Sequence, residues 1–277
     1  MYRGGRETTV VDAARCDAPL ILKCQKPEAQ DADHPGVADR QERVPGFSQE
    51  ALAKATVLLV GAGALGGEIA EGLVRQGVGT LKILDFDTVE LPNLNRQFFF
   101  VRDVGSPKAW ALARNLEPHG ALGTRIVAWN LGFENALGYG IDLACDVAVS
   151  AVDDGDTRSA IAWFARGRRV PAIFGAASEQ ADYANLFIQE VGGACYWCGF
   201  PAARGGGRTP CPGSPAIKDL FKQLGGLAVY GLSTLIMDRP RTWNLHSLCP
   251  ADASFTCSTK VEPHPGCKVC GGDPPST

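Results

Sequence analysis

The stretch Thr56 to Gly61 (TVLLVG) runs directly into GAGALGG, and this junction constrains the fold more than any other feature of the chain. A β-branched apolar run of this kind is typical of a strand buried on both faces of a parallel sheet. The glycines that follow, Gly61, Gly63 and Gly66, occupy the three positions of a GxGxxG turn. The first permits a tight turn, the second lets backbone approach a phosphate, and the third lets helix pack on strand. A helix is expected from Ala64 to about Gln76, with Leu65, Ile69 and Leu73 on one face, and a second strand at Thr80 to Asp85 (TLKILD). The helix N-terminus then offers partial positive charge to an anion.

Further alternation is expected downstream. A helix starts at Pro107, strands lie at Arg125 to Trp129 and Asp146 to Ser150, a helix lies near Arg158 to Arg166, and a strand at Pro171 to Phe174. This β-α order predicts an α/β class, a Rossmann-type, mostly parallel doubly wound sheet. After Gly175 the pattern changes. Tyr183 to Ile188 and stretches near Trp243 and Phe255 alternate like antiparallel strands, predicting an antiparallel extension. Between them, the glycine-rich ARGGGRTPCPG precedes a helix from roughly Pro215 to Met237, which Gly225, Gly226 and Gly231 are expected to interrupt. Residues 1–36 read as an N-terminal arm in which Ala18 to Cys24 can form a short strand, and 37–277 as a single domain.

Asp85 ends the second strand, where a carboxylate can bind ribose hydroxyls. NAD-, FAD- and ATP-binding proteins share these features. The segment DFDTVELPNLNRQ, with Asn93 and Arg96, and Lys108 at the next helix start tilt the balance. A dinucleotide needs no such cations, whereas a triphosphate under attack needs positive charge against its own. The bland alternative is an exposed polar loop. Asp153 follows the buried DVAVS run, at the sheet edge where α/β ligands bind, and magnesium favours one or two carboxylates plus phosphate oxygens. Asp156 reads as a possible cap for the next helix. A NAD-dependent oxidoreductase would use GAGALGG and Asp85 but leave Arg96, Lys108 and Asp153 idle.

Two CxxC pairs, Cys195 with Cys198 and Cys267 with Cys270, have the spacing of zinc knuckles, with redox chemistry as the alternative and Cys249 and Cys257 as rival ligands. Four thiolates would leave no open coordination position, so such a zinc would be structural. Cys211 lies before the helix at Pro215 and near Arg208, a setting that favours a thiolate nucleophile; an inert loop cysteine is the alternative. The four histidines, His34, His119, His246 and His264, have no triad or metal spacing. The net charge of −3 and the absence of a basic run argue against nucleic acid or an anionic membrane as main partner. There is no apolar run of membrane-spanning length and no secretory signal pattern, so a cytoplasmic location is expected.

From Arg40 to Asp153 the chain resembles the superfamily of ThiF, MoeB and the adenylation domains of ubiquitin-activating enzymes. The matching residues are Arg40-Gln41, GAGALGG, DFDTVELPNLNRQ, Pro107-Lys108 and AVDD from Ala151 to Asp154; with the cysteine knuckles the resemblance spans about residues 40–270. It implies ATP-dependent adenylation of the C-terminal glycine of a ubiquitin-like or sulfur-carrier protein. By motif match, Gly63 would lie against the nucleotide, Asp85 would bind ribose, Asn93, Arg96 and Lys108 would contact phosphates, and Asp153 would bind Mg2+. Cys211 falls where relatives carry the cysteine that accepts the acyl group as a thioester, for handing to a conjugating enzyme. Arg40 matches an arginine that family dimers extend into the neighbouring ATP site, which implies a homodimer; Val37, Ala38 and Asp39 stand where relatives have an arginine-tyrosine pair. The resemblance further implies Zn2+ at the knuckles, and a crossover loop over residues 199–214 within the adenylation domain.

Overall fold

In the computed structural model, residues 18–27, 36–178, 180–201 and 216–270 are described. The strands are β1 (Leu20–Lys23), β2 (Thr56–Val60), β3 (Thr80–Leu84), β4 (Arg125–Trp129), β5 (Val147–Ser150), β6 (Ala172–Ala177), β7 (Ala184–Gln189), β8 (Leu245–Leu248) and β9 (Cys257–Thr259). They form one nine-stranded sheet in the order β1-β4-β3-β2-β5-β6-β7-β8-β9. The run β4-β3-β2-β5-β6 is parallel, β1 adds antiparallel to β4, and β7, β8 and β9 extend the other side antiparallel. The parallel core with an antiparallel extension is the architecture the sequence pattern predicts. Residues 20–23 of the N-terminal arm belong to the same sheet.

The helices are α1 (Asp39–Glu42), α2 (Gln49–Lys54), α3 (Ala64–Gln76), α4 (Lys108–Leu116), α5 (Phe133–Gly138), α6 (Gly155–Arg168), α7 (Tyr196–Gly199) and α8 (Lys218–Ile236). Alternation along β2 sorts its side chains to two cores: Val57 and Leu59 face one, Leu58 and Val60 the other. The first core contains Ile69 and Leu73 of α3, Leu112 of α4 and Leu224 and Leu232 of α8. The second contains Phe133 of α5, Ile161 and Ala162 of α6, and Tyr196 and Trp197 of α7. The core strands are thus covered on both faces, as their unbroken apolar runs require.

Two expectations are corrected. Helix α8 is continuous despite its glycines, because they seat it closely on its neighbours: a Cβ on Gly225 would stand 2.4 Å from the Glu68 Cβ, and one on Gly231 2.9 Å from Ile188. It begins at Lys218, with Pro215 outside the described residues. Asp154, not Asp156, caps α6, its carboxylate accepting from the Thr157 N–H at 2.7 Å. The antiparallel strands expected near Trp243 and Phe255 are present as β8 and β9, each beginning two residues beyond the aromatic. No helix among the described residues is long and apolar enough to cross a membrane.

Candidate active site

The sheet changes direction at β2. From it the chain winds out through β3 and β4 on one side and through β5 and β6 on the other, so a crevice opens at the carboxyl ends of β2 and β5. Gly61, Gly63 and Asp153 follow these two strands. Gly61 adopts φ +99°, and a Cβ there would sit 2.6 Å from the Ala151 carbonyl oxygen; the loops after β2 and β5 touch through its bare backbone. A Cβ on Gly66 would stand 1.9 Å from the Gly61 carbonyl oxygen, whereas one on Gly63 would meet nothing within 4 Å. Gly63 caps α3 and faces open space, the arrangement an anion at a helix N-terminus needs.

Asp85 is tied to this loop. Its Oδ2 accepts from the Ala62 N–H at 2.7 Å and its Oδ1 from the Asp87 N–H at 2.8 Å. Burial pushes its pKa above the ordinary carboxylate value, opposed by those two donors and by Lys108. Each oxygen keeps a further lone pair for a hydroxyl.

The segment after β3 packs on the first turn of α3, where a Cβ on Gly67 would come within 2.9 Å of the Phe98 Cβ. Asn93 is buried in the 3-10 turn Leu91–Asn93, its Oδ1 accepting from the Glu90 N–H at 3.0 Å, so an anion would meet its amide N–H groups. The Arg96 guanidinium donates to the Pro92 carbonyl at 2.6 Å and to Asn95 Oδ1 at 3.0 Å. Lys108 opens α4 with its ammonium nearly enclosed, paired with Asp87 Oδ2 at 2.8 Å, while its N–H donates to the Asp87 carbonyl at 2.8 Å. Asp87 is a participant that sequence reasoning passed over. Its signal was available: it lies two residues beyond Asp85, and the bridge between Thr88 and Pro107 brings it against Lys108.

Asp153 is exposed, between β5 and the capping residue Asp154. Arg158, also unmarked in the sequence, donates its Nε–H to the Val152 carbonyl at 2.9 Å. Gly61, Gly63, Gly66, Asp85 and Asp153 therefore gather at one crevice, with Asn93, Arg96 and Lys108 on the segment leaving β3. Arg40 does not join them. It lies on α1, its side chain 85% exposed and 3.6 Å from Asp39. The next residue, Gln41, donates to the Gln76 carbonyl at the far end of α3. At 1.5 Å rise per residue, α3 separates that end from the glycine loop by roughly 20 Å. Cys211 and most of the expected crossover loop lie outside the described residues; Gly199 belongs to α7.

On the α6 face of the sheet the two CxxC pairs converge. Cys195, Cys198, Cys267 and Cys270 place their sulfurs within 4.8 Å of one another, with spacings of 3.7 Å (195–198), 3.6 Å (195–267) and 3.5 Å (198–270). Four sulfurs about 2.3 Å from a central zinc would be about 3.8 Å apart, so this donor set fits tetrahedral zinc. The Cys195 N–H points at Cys270 Sγ (3.3 Å) and the His264 N–H at Cys198 Sγ (3.4 Å), the hydrogen bonds thiolate ligands accept. Burial works against ionisation of Cys267, but the Cys270 and Val269 N–H groups together with the Cys195 and Cys198 thiols outweigh it and lower its pKa to about 6. The rivals Cys249 and Cys257 stay outside this cluster, and Cys257 is exposed rather than packed.

Comparison with known proteins matches residues 38–269 to the ThiF family. The chain is 32% identical over 236 residues to the sulfur carrier protein adenylyltransferase of Thermus thermophilus, covering 82% of this chain and 86% of that one. It is 30% identical over 229 residues to the SAMP-activating enzyme E1 of Haloferax volcanii, covering 80% and 83%. Its fold resembles the crystal structure of E. coli MccB with MccA-N7isoASN, with a TM-score of 0.68 at 18% identity over 80% of this chain and 69% of that one. The family match spans most of the chain, and the chain belongs to the ThiF family.

Proposed function

We propose that this ATP-dependent adenylyltransferase activates the C-terminal glycine of a ubiquitin-like protein. The observation that carries the reading is the meeting of the glycine loop, Asp85 and the Asp153 loop at the switch point, beside a segment bearing Arg96 and Lys108. In the reaction a carboxylate oxygen of the carrier bonds to the α-phosphorus of ATP. The bond from that phosphorus to the bridging oxygen breaks, and pyrophosphate leaves with the electron pair. Gly63 leaves room for the phosphates, Asp85 takes the ribose, and Arg96 and Lys108 offset charge gathering on the leaving group. Lys108 is held in reserve by Asp87 until a phosphate competes for it. Asp153 would hold magnesium; zinc at the four thiolates would fasten the C-terminal segment to the sheet.

Arg40 is exposed on the short helix that packs at the end of α3 away from the glycine loop, an arrangement that suits a site in another copy and supports a homodimer completed in trans. Transfer of the acyl group to Cys211, with release of AMP, would make a thioester for a conjugating enzyme. A second reading, in which the carrier is a sulfur carrier and the enzyme stops at the acyl-adenylate, is favoured by the name of the Thermus thermophilus relative.

Pyrophosphate exchange into ATP should require a ubiquitin-like or sulfur-carrier protein with a free C-terminal glycine. Asp153→Ala should slow that exchange by roughly 100-fold; near-wild-type exchange would remove Asp153 from the site. On a non-reducing gel, a wild-type adduct absent in Cys211→Ala supports the thioester route, and exchange without any wild-type adduct supports the sulfur-carrier route.

A further inference from the structure

The backbone at Asp153 has a fixed place because the residues flanking it are anchored independently. On one side, Asp154 caps α6. On the other, the Val152 carbonyl receives the Arg158 Nε–H at 2.9 Å from one turn into the helix. Capping by Asp154 alone would suffice to start α6, so the Arg158 contact adds something else: it fixes the peptide that precedes Asp153.

Arg158 is in turn held from outside its helix. It lines, with Phe174, Gly175, Ala176, Tyr196 and Phe200, a cavity of about 170 Å³ at the carboxyl end of β6. Tyr196 thus faces the same cavity as Arg158, across from the Val152 contact. Tyr196 stands between Cys195 and Cys198 in the first knuckle. Its N–H donates to Gln189 Oε1 at 3.0 Å, and buried Gln189 passes the contact on, donating from Nε2 to the Ala162 carbonyl of α6 at 3.1 Å. Trp197 lies against Trp163 of α6 at 5.2 Å between ring centroids, and Tyr196 against Phe174 at 4.7 Å. The knuckle thus grips α6 at its middle, through Gln189 and Trp163, and shares a cavity with Arg158 at its first turn.

We propose that Arg158 is a positioning residue for Asp153 and that Tyr196 holds it in place, so that the four-cysteine cluster sets the geometry of the magnesium-binding loop. The proposal rests on the reading of Asp153 as a magnesium ligand. It assigns the cluster a role in metal–nucleotide binding beyond stapling the C-terminal segment, carried by the knuckle's hold on α6 through Gln189 and Trp163, by the cavity that Tyr196 shares with Arg158, and by the Arg158 contact to the Val152 peptide.

The test is calorimetric titration of ATP with and without magnesium, alongside magnesium titrations of pyrophosphate exchange and thermal melts. Arg158→Gln should raise the magnesium concentration for half-maximal exchange roughly tenfold and abolish most of the gain in ATP affinity that magnesium gives, with metal-free ATP binding unchanged. Arg158→Lys, which can still donate to the Val152 carbonyl, should recover much of the loss. Tyr196→Phe should shift the same parameter a few-fold while keeping one zinc per chain. If Arg158→Gln does not melt cooperatively, Arg158→Lys and Tyr196→Phe decide. Magnesium dependence unchanged in folded Arg158 and Tyr196 variants, but lost in Asp153→Ala, overturns the proposal. Magnesium dependence unchanged in Asp153→Ala as well overturns the reading beneath it.

Discussion

Cys24 packs beneath the turn at Gly120, and burial, followed by the nearby Glu117 carboxylate, raises its pKa to about 11. Cys145, before β5, is also pushed up to about 11 by burial, with Lys82 acting against the rise. A thiol with that pKa is ionised at pH 7.5 only to the extent of roughly three parts in ten thousand. Both residues are therefore poor acyl acceptors at neutral pH, whereas Cys257 is exposed. Alkylation by iodoacetamide at pH 7.5, followed by peptide mass mapping, should therefore modify Cys257 at least roughly 100-fold faster than Cys24 or Cys145. Labelling of Cys24 and of the half-buried Cys145 should climb about tenfold per pH unit toward their pKa, as thiolate accumulates. Equal rates at pH 7.5 would mean these sites open far more readily than their packing allows. The same burial explains why they carried no functional signal in the sequence.

Helix α8 shows how packing overrides propensity. Gly225 and Gly226 are adjacent, yet the first is buried against α3 and the second faces solvent with nothing within 4 Å of a built Cβ. Gly225→Ala should destabilise by about 1–3 kcal/mol, since the new methyl meets the Glu68 backbone side of α3 and a packed interface must move. Gly226→Ala should stabilise by about 0.5–1 kcal/mol, the ordinary helix preference of alanine. Chemical denaturation of the two variants would distinguish them, and the same sign for both would contradict this packing. From sequence the glycines read as breakers because propensity is local, while the reason for these glycines lies on another helix. The parallel strands were legible for the opposite reason: burial on both faces leaves an unbroken apolar run in the sequence itself. Asp85 and Lys108 were legible as a spaced motif. Arg158 was not, because its partners, Val152 and Tyr196, lie on different elements and leave no periodic trace. Strands β8 and β9 are short, half-buried and exposed respectively, so their alternation was weak and only their neighbourhood, not their bounds, was legible.

At the scale of the molecule, a parallel sheet built for nucleotide chemistry is joined to an antiparallel extension, and the cysteine cluster ties the far end of the chain to both. Purified protein should contain one zinc per chain, and Cys198→Ser or Cys270→Ser should lose it and melt at lower temperature. Such a loss is large: structural zinc sites contribute about 10–16 kcal/mol of apparent binding free energy, coupled to folding. Elemental analysis of the two variants is the check, and stoichiometric zinc in both would point to other ligands. The legible part of this site was its spacing. What the first knuckle does to α6, through Gln189, Trp163 and Arg158, depends on three-dimensional neighbours that spacing does not encode.

The two halves of the cluster are also separated in time. Cys195 and Cys267 are 72 residues apart, so a ribosome adding roughly 5–20 residues per second delivers the second pair about 4–14 s after the first. During that interval two neighbouring thiols wait without their partners, able to close on each other as a disulfide if the surroundings turn oxidising. A chain caught in that state would arrive with its nucleotide crevice already made and its last strands unable to lock, so a brief oxidative pulse would damage newly made copies while sparing finished ones.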